Sequence, residues 1–238
     1  MRPDGRKANE LRPIELTRGV AEFAEGSCLV KFGKTIVHCT ATVEQFLPRW
    51  RKAEDGGWIT AEYDMLPRAN RERGNRGGWR GGRSQEIARL IGRSLRAVAD
   101  LPAMPGLTVT IDCDVLQGDG GTRTAAITGG YVALADALRV RREKGLLKSW
   151  PLLDSVAGIS AGIADGRPAL DLNYAEDSAA SVDANFVFTG KGRLVEVQAS
   201  GEEATFAEED LQALLALARR GAVRLAALQR DALGALPR

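Results

Sequence analysis

The segment from Leu107 to Lys144 constrains the fold more than any other. Leu107, Val109, Ile111, Cys113 and Val115 alternate with Thr108, Thr110, Asp112 and Asp114, the period of two of a strand that buries one face. The chain then passes through Gln117-Gly118-Asp119-Gly120-Gly121-Thr122-Arg123-Thr124. Helical spacing follows at once from about Thr124 to Lys144, with Ile127, Tyr131, Leu134, Ala135 and Leu138 inward and Gly145 as a stop. Strand, glycine-rich turn and helix in immediate succession call for a sheet with helices layered against it.

The same mixture extends along the chain. Ser27 to Val43 reads as two strands around Gly33-Lys34, a pair suited to a tight turn. A two-residue turn there pairs positions summing to about 67 and sets Cys28 opposite Cys39. Ser84 to Ala99 has helical spacing, with Ile87, Leu90, Ile91, Leu95 and Val98 in one stripe, Ser84 as N-cap, and Arg89, Arg93 and Arg96 on another face. The second half predicts strands at Val156 to Ile163, Ala169 to Tyr174, Asn185 to Thr189 and Arg193 to Ser200, then a long helix from about Glu208 to Leu233. Its acidic first turn complements the helix dipole. The expectation is an α+β fold, residues 1–238 forming a single compact domain with an internal pseudo-repeat.

Composition agrees: of 238 residues, 44% are hydrophobic and 27% charged, as in ordinary globular proteins. The polar start from Met1 to Arg12 does not read as a signal peptide and no segment approaches membrane-spanning length, so a cytoplasmic protein without membrane contact is expected. Cys28, Cys39 and Cys113 form an odd set without CxxC spacing, which argues against a disulfide framework or a zinc site. A net charge of +2 is too small to argue for nucleic-acid binding, but its distribution is uneven. Nine arginines stand between Leu66 and Arg96 against two acids, Glu72 and Glu86, and such a segment attracts a polyanion.

Three segments carry candidate chemistry. In the glycine-rich turn, glycines allow close backbone approach, the amides opening a helix favour an anion, and Arg123 adds a forked cation; these are the parts of a phosphate site. A plain turn with a solvated arginine is the competing reading. In Tyr174-Ala175-Glu176-Asp177-Ser178-Ala179-Ala180-Ser181-Val182-Asp183, two aspartates share what reads as a short link between strands and could hold Mg²⁺. Taken alone, these acids are better explained as caps or solvated side chains. The segment Arg68 to Arg83 interleaves arginines with glycines and Trp79, a composition suited to single-stranded RNA, where charge holds the backbone and stacking holds bases. A solvated loop would look the same. His38, the only histidine, falls in a strand and reads as structural, which disfavours histidine-based chemistry.

Together these residues resemble the ribonuclease PH family nearly from end to end. The resemblance is carried by MRPDGRKANELRPIELTRG, AEGSCLVKFGKTIVHCTATVE, GWITAEYDMLPRA, GGRSQEIARLIGRSLRA, IDCDVLQGDGGTRTAAITGGYVALADAL, DLNYAEDSAASVDANFVFTGKGRLVEVQ and LLALARRG, in this order. It departs in the arginine-rich loop, which is shorter than usual and carries Trp79, and in the segment Gly201 to Phe206. The resemblance implies a βαβα arrangement of mixed sheets and helices and a homohexamer built as a trimer of dimers. It also implies a phosphate-dependent 3′→5′ exoribonuclease that trims tRNA precursors and other RNA 3′ ends, releasing nucleoside diphosphates. By matching positions, Arg83, Gly121, Thr122 and Arg123 would bind inorganic phosphate, and Asp177 and Asp183 would form the catalytic and Mg²⁺-binding pair. Arg68, Arg71, Arg73, Arg76 and Arg80 would meet RNA. Two alternatives stand beside this: a non-catalytic RNA-binding ring subunit of an exosome-like assembly, and a hydrolytic nuclease.

Overall fold

The computed structural model describes residues 2, 4–76, 81–201 and 205–237. The first half builds a five-stranded sheet from β1 (Ile14–Arg18), β2 (Gly26–Phe32), β3 (Thr35–Glu44), β4 (Trp58–Met65) and β5 (Thr108–Gln117), in the order β1-β2-β3-β5-β4. Its neighbours are antiparallel except β4 and β5. Parallel strands need a crossover, and helix α1 (Gly82–Arg96) lies in the connection between them. The hairpin at Gly33-Lys34 has the expected register, with Cys28 opposite Cys39. Both thiols and that of Cys113 are free and buried.

The second half builds a four-stranded antiparallel sheet from β6 (Val156–Ala164), β7 (Arg167–Leu170), β8 (Val182–Thr189) and β9 (Leu194–Gly201), in the order β7-β6-β8-β9. A one-turn helix, α3 (Tyr174–Asp177), bridges β7 and β8, and α4 (Glu208–Leu233) packs on β6 and β7.

Helix α2 (Thr122–Glu143) joins the halves. It packs against β2 and β3 of one sheet and β6 of the other, and every residue from Thr124 to Leu138 is buried. The single inward stripe read from the sequence is therefore too narrow. A helix covered on all sides has no polar face, and this one is rich in alanine and glycine because both sheets approach its backbone. A Cβ on Gly129 would stand 2.5 Å from Val30, and one on Gly26 of β2 would stand 2.0 Å from the Ala133 carbonyl oxygen. A single hydrophobic core consequently runs from the first sheet through α2 to the second.

Other boundaries also differ from expectation. Gly81, not Ser84, is the N-cap of α1, and no side chain caps it. Helix α2 begins two residues early, taking Thr122 and Arg123 into its first turn. The strand expected to reach Tyr174 stops at Leu170, because Asp171 adopts φ +53° and turns the chain. Asn173 then caps α3 in a capping box: its side chain accepts from the Glu176 amide at 3.1 Å, and Glu176 accepts from the Asn173 amide at 3.0 Å. Strand β8 begins at Val182, which places Asp183 within a strand and not in a link. The strands β1 and β4 were not anticipated. Among the described residues, no helix is long and apolar enough to cross a membrane.

Candidate active site

The glycine-rich turn leaves β5 and enters α2 through two left-handed residues, Gly120 at φ +76° and Gly121 at φ +65°. A side chain at Gly120 is excluded twice, by this backbone and by the Leu172 carbonyl oxygen 2.6 Å from where its Cβ would lie. The turn is held from behind. Thr35 donates its hydroxyl to the Gly120 carbonyl at 2.7 Å and accepts the Asp119 amide at 2.9 Å. The buried Arg12 guanidinium donates to the Asp119 carbonyl at 2.5 Å and to the Asp171 carboxylate at 2.7 and 3.1 Å. No side chain caps the first turn of α2, whose amides no residue inside the helix can satisfy.

A cleft of about 710 Å³ opens in front of this turn. Arg83 of the first turn of α1 and Arg123 of the first turn of α2 both line it, so two cations converge with the N-terminus of α2. Arg123 is held by Gln198 at 3.0 Å and by an ion pair with Glu86 at 3.5 Å. Thr122 lines the cleft too, and the buried Tyr63 of β4 donates to its hydroxyl at 2.8 Å.

The carboxylates arrive from the second half. Asp177 ends α3, Asp183 is the second residue of β8, and both face the same cleft. Burial, and then the charge of Asp183, raise the Asp177 carboxyl to about 6, against the pull of Arg123, Arg83 and Arg12. Two acids so placed repel each other and attract a cation. Glu176, by contrast, is structural. Burial alone would raise it, but Arg2, bonded to both its oxygens at 2.6 Å, and the Asn173 amide hold it below its ordinary value.

The structure thus brings Arg83, Gly121, Thr122, Arg123, Asp177 and Asp183 to one cleft. Of the arginine-rich segment, Arg71 also lines it, while Arg68, Arg73 and Arg76 are exposed outside the lining, and Arg80 and Trp79 lie outside the described residues. His38 is half-buried on β3, opposite Asp114, away from the cleft lining. Sequence reasoning missed Arg12, Tyr63, Ser160, Asp171 and Asn185. Only Asn185 left a usable signal, since it stands two residues after Asp183 on the same strand face and donates to it at 3.4 Å. Among the described residues no group of three or more His, Cys, Asp or Glu side chains could hold a metal ion, so protein ligation of a cation would rest on the aspartate pair.

Residues 10–139 match the model described as the 3′ exoribonuclease family, domain 1, and residues 154–221 match its domain 2. The chain belongs to the 3′ exoribonuclease family. Relatives within it include a ribonuclease PH from Methylobacterium radiotolerans, 56% identical over 236 residues, or 98% of this chain and 100% of the relative. The ribonuclease PH of Methylocella silvestris is 56% identical over 235 residues, 98% of this chain and 99% of that one. Among solved structures, an Archaeoglobus fulgidus exosome with RNA bound to the active site matches with a TM-score of 0.81 and 25% identity, covering 94% of this chain and 91% of the other. The crystal structure of rice (Oryza sativa) Rrp46 has the same fold, with a TM-score of 0.80 at 24% identity over 98% of this chain and 100% of that one.

Proposed function

We propose that this chain is a phosphate-dependent 3′→5′ exoribonuclease that trims the 3′ ends of tRNA precursors and other RNAs, transferring terminal nucleotides to inorganic phosphate. The observation that carries this reading is the convergence of Arg83, Thr122, Arg123 and the N-terminus of α2 on the cleft that also holds Asp177 and Asp183. A hydrolase needs only water at the scissile bond. A dedicated anion site opposite a carboxylate pair suits a reaction in which a second anion attacks.

In that reaction an oxygen of the bound phosphate attacks the last phosphodiester in line, the ribose 3′ oxygen of the shortened RNA leaves, and a nucleoside diphosphate departs. Two anions must be brought together, and Arg83, Arg123 and the α2 amides offset their repulsion while fixing the attack direction. Arg71, with Arg68, Arg73, Arg76 and Arg80, would steer the RNA 3′ end toward the cleft.

Asp177 and Asp183 would hold Mg²⁺. The fit is chemical: both offer hard oxygen donors, and a cation held by them would relieve the repulsion that helps raise Asp177. When bound, Mg²⁺ would neutralise charge on the phosphoryl oxygens. One of the aspartates would also serve as general acid for the departing ribose oxygen.

The non-catalytic ring-subunit alternative is set aside, because the full-length relatives at 56% identity are named ribonuclease PH. The assembly we propose is a homohexamer, a trimer of dimers, supported by kinship to exosome subunits. Acting on tRNA precursors would place it in the cytoplasm.

Arg123→Ala tests the division of labour. It should raise the KM for phosphate and lower kcat by about 10²- to 10³-fold, as when other preorganised donors are removed, while tRNA affinity is kept. A normal phosphate KM with lost tRNA binding would reverse the assignment. Steady-state kinetics with varied phosphate, alongside filter binding of tRNA, reads both.

A further inference from the structure

Tyr63 belongs to the segment Ile59-Thr60-Ala61-Glu62-Tyr63-Asp64-Met65, whose side chains have so far been given no part in the chemistry. We infer that Tyr63 is a positioning residue for the phosphate co-substrate: by donating its phenolic hydrogen to Thr122 Oγ1, it leaves the threonine hydroxyl to donate its own hydrogen to the anion in the cleft. The inference rests on the phosphorolytic reading and names a component of its phosphate site.

Tyr63 is 2% exposed in the middle of the first half's core, and a phenol there must find a partner. Its partner is Thr122 Oγ1 at 2.8 Å. Either oxygen could donate in principle, but a phenol with a pKa near 10 is a far better donor than an aliphatic alcohol, so the hydrogen between them belongs to Tyr63. Burial raises the phenol further above its ordinary value, so it stays protonated at neutral pH.

That assignment fixes what Thr122 can do. Its oxygen accepts from behind, and among the described residues Tyr63 is its only side-chain hydrogen-bond partner. The hydroxyl hydrogen must then point elsewhere, and Thr122 lines the cleft between Gly121 and Arg123. A freely rotating hydroxyl would spend part of its time presenting lone pairs to an incoming anion, which repels it. With one of its two lone pairs engaged by Tyr63, the hydroxyl is biased toward presenting its hydrogen. Arg83 and Arg123 line the same cleft as Thr122, so an anion held by that arginine pair would meet the threonine hydroxyl. Strand β4 supplies the rigidity, because it is paired with β5 over its whole length.

The test is a double-mutant cycle on full-length protein. Tyr63→Phe keeps the ring and removes only the donor. It should raise the phosphate KM about 3- to 10-fold, the range of one neutral hydrogen bond, with tRNA affinity unchanged. In a Thr122→Val background it should do nothing more, and in a Thr122→Ser background, where the hydroxyl survives, its effect should return. A purely structural tyrosine would act equally in all three backgrounds. An unchanged phosphate KM for Tyr63→Phe, or the same KM increase on Thr122→Val as on wild type, overturns the inference while phosphorolysis stands. Wild-type protein that releases no nucleoside diphosphate would overturn the phosphorolytic reading itself.

Discussion

Arg12 and Asp171, 159 residues apart, meet through three hydrogen bonds: the Arg12 amide at 2.8 Å, its Nε at 3.1 Å and one terminal nitrogen at 2.7 Å. Their side chains are 4% and 0% exposed. The pair ties the N-terminal segment to the turn after β7, and the same guanidinium grips the turn that opens α2. It therefore fastens the glycine-rich turn of the cleft to the element leading to Asp177.

Removing Arg12 strips the fully buried Asp171 of its close partner and leaves it only the longer ion pair with Arg6 at 3.6 Å. Arg12→Ala should destabilise the protein by about 3–5 kcal/mol. Arg12→Lys should recover little, because an ammonium cannot reproduce the fork that reaches Asp171 and Asp119 together. Chemical denaturation of the three proteins checks this, and equal midpoints for Arg12→Ala and wild type would show the pair to be dispensable.

The raised carboxyl of Asp177 makes a prediction about pH. A group held at about 6 in the folded state and near 3.9 when unfolded binds its proton more tightly folded, so stability falls as pH rises from about 4 to 6. Asp177→Asn cannot ionise. With divalent cations chelated, it should melt above wild type at pH 7 and match it below about pH 4. A constant difference at all pH values would mean that titration is not the cause.

Much of this site was legible in the sequence, for a physical reason. Gly120, Gly121, Thr122 and Arg123 are contiguous, and a strand that alternates before a helix that repeats leaves only one place for the turn. Asp183 was legible as a residue but not as a strand position, because Ala179 and Ala180 beside it offer no period. Tyr63 and Arg12 were invisible as site residues. Their roles come from contacts with residues 59 and 159 positions away, and nothing in either local pattern signals a partner at that distance. The strand β4 escaped notice because glycines and charges flank it, and its pairing with β5 is parallel and therefore non-local. Helix α2 was found but misjudged, since periodicity assumes one solvated face and this helix has none.

The exposed arginines Arg73 and Arg76 stand outside the cleft lining, and we propose that a longer RNA meets them. Charge reversal at both should weaken tRNA binding. It should also reduce the magnitude of the log–log salt slope by roughly 1.4, at about 0.7 per lost single-stranded phosphate contact. Titrations at several salt concentrations measure it, and an unchanged slope would leave the segment merely solvated.

We propose inorganic phosphate, and not water, as the attacking group. Incubating the protein with RNA, Mg²⁺ and ¹⁸O-labelled phosphate, then analysing the released nucleotides by mass spectrometry, tests it most directly. The account predicts nucleoside diphosphates carrying the label in their β-phosphate, and no release when phosphate is omitted. Unlabelled nucleoside monophosphates, released equally well without phosphate, would contradict it.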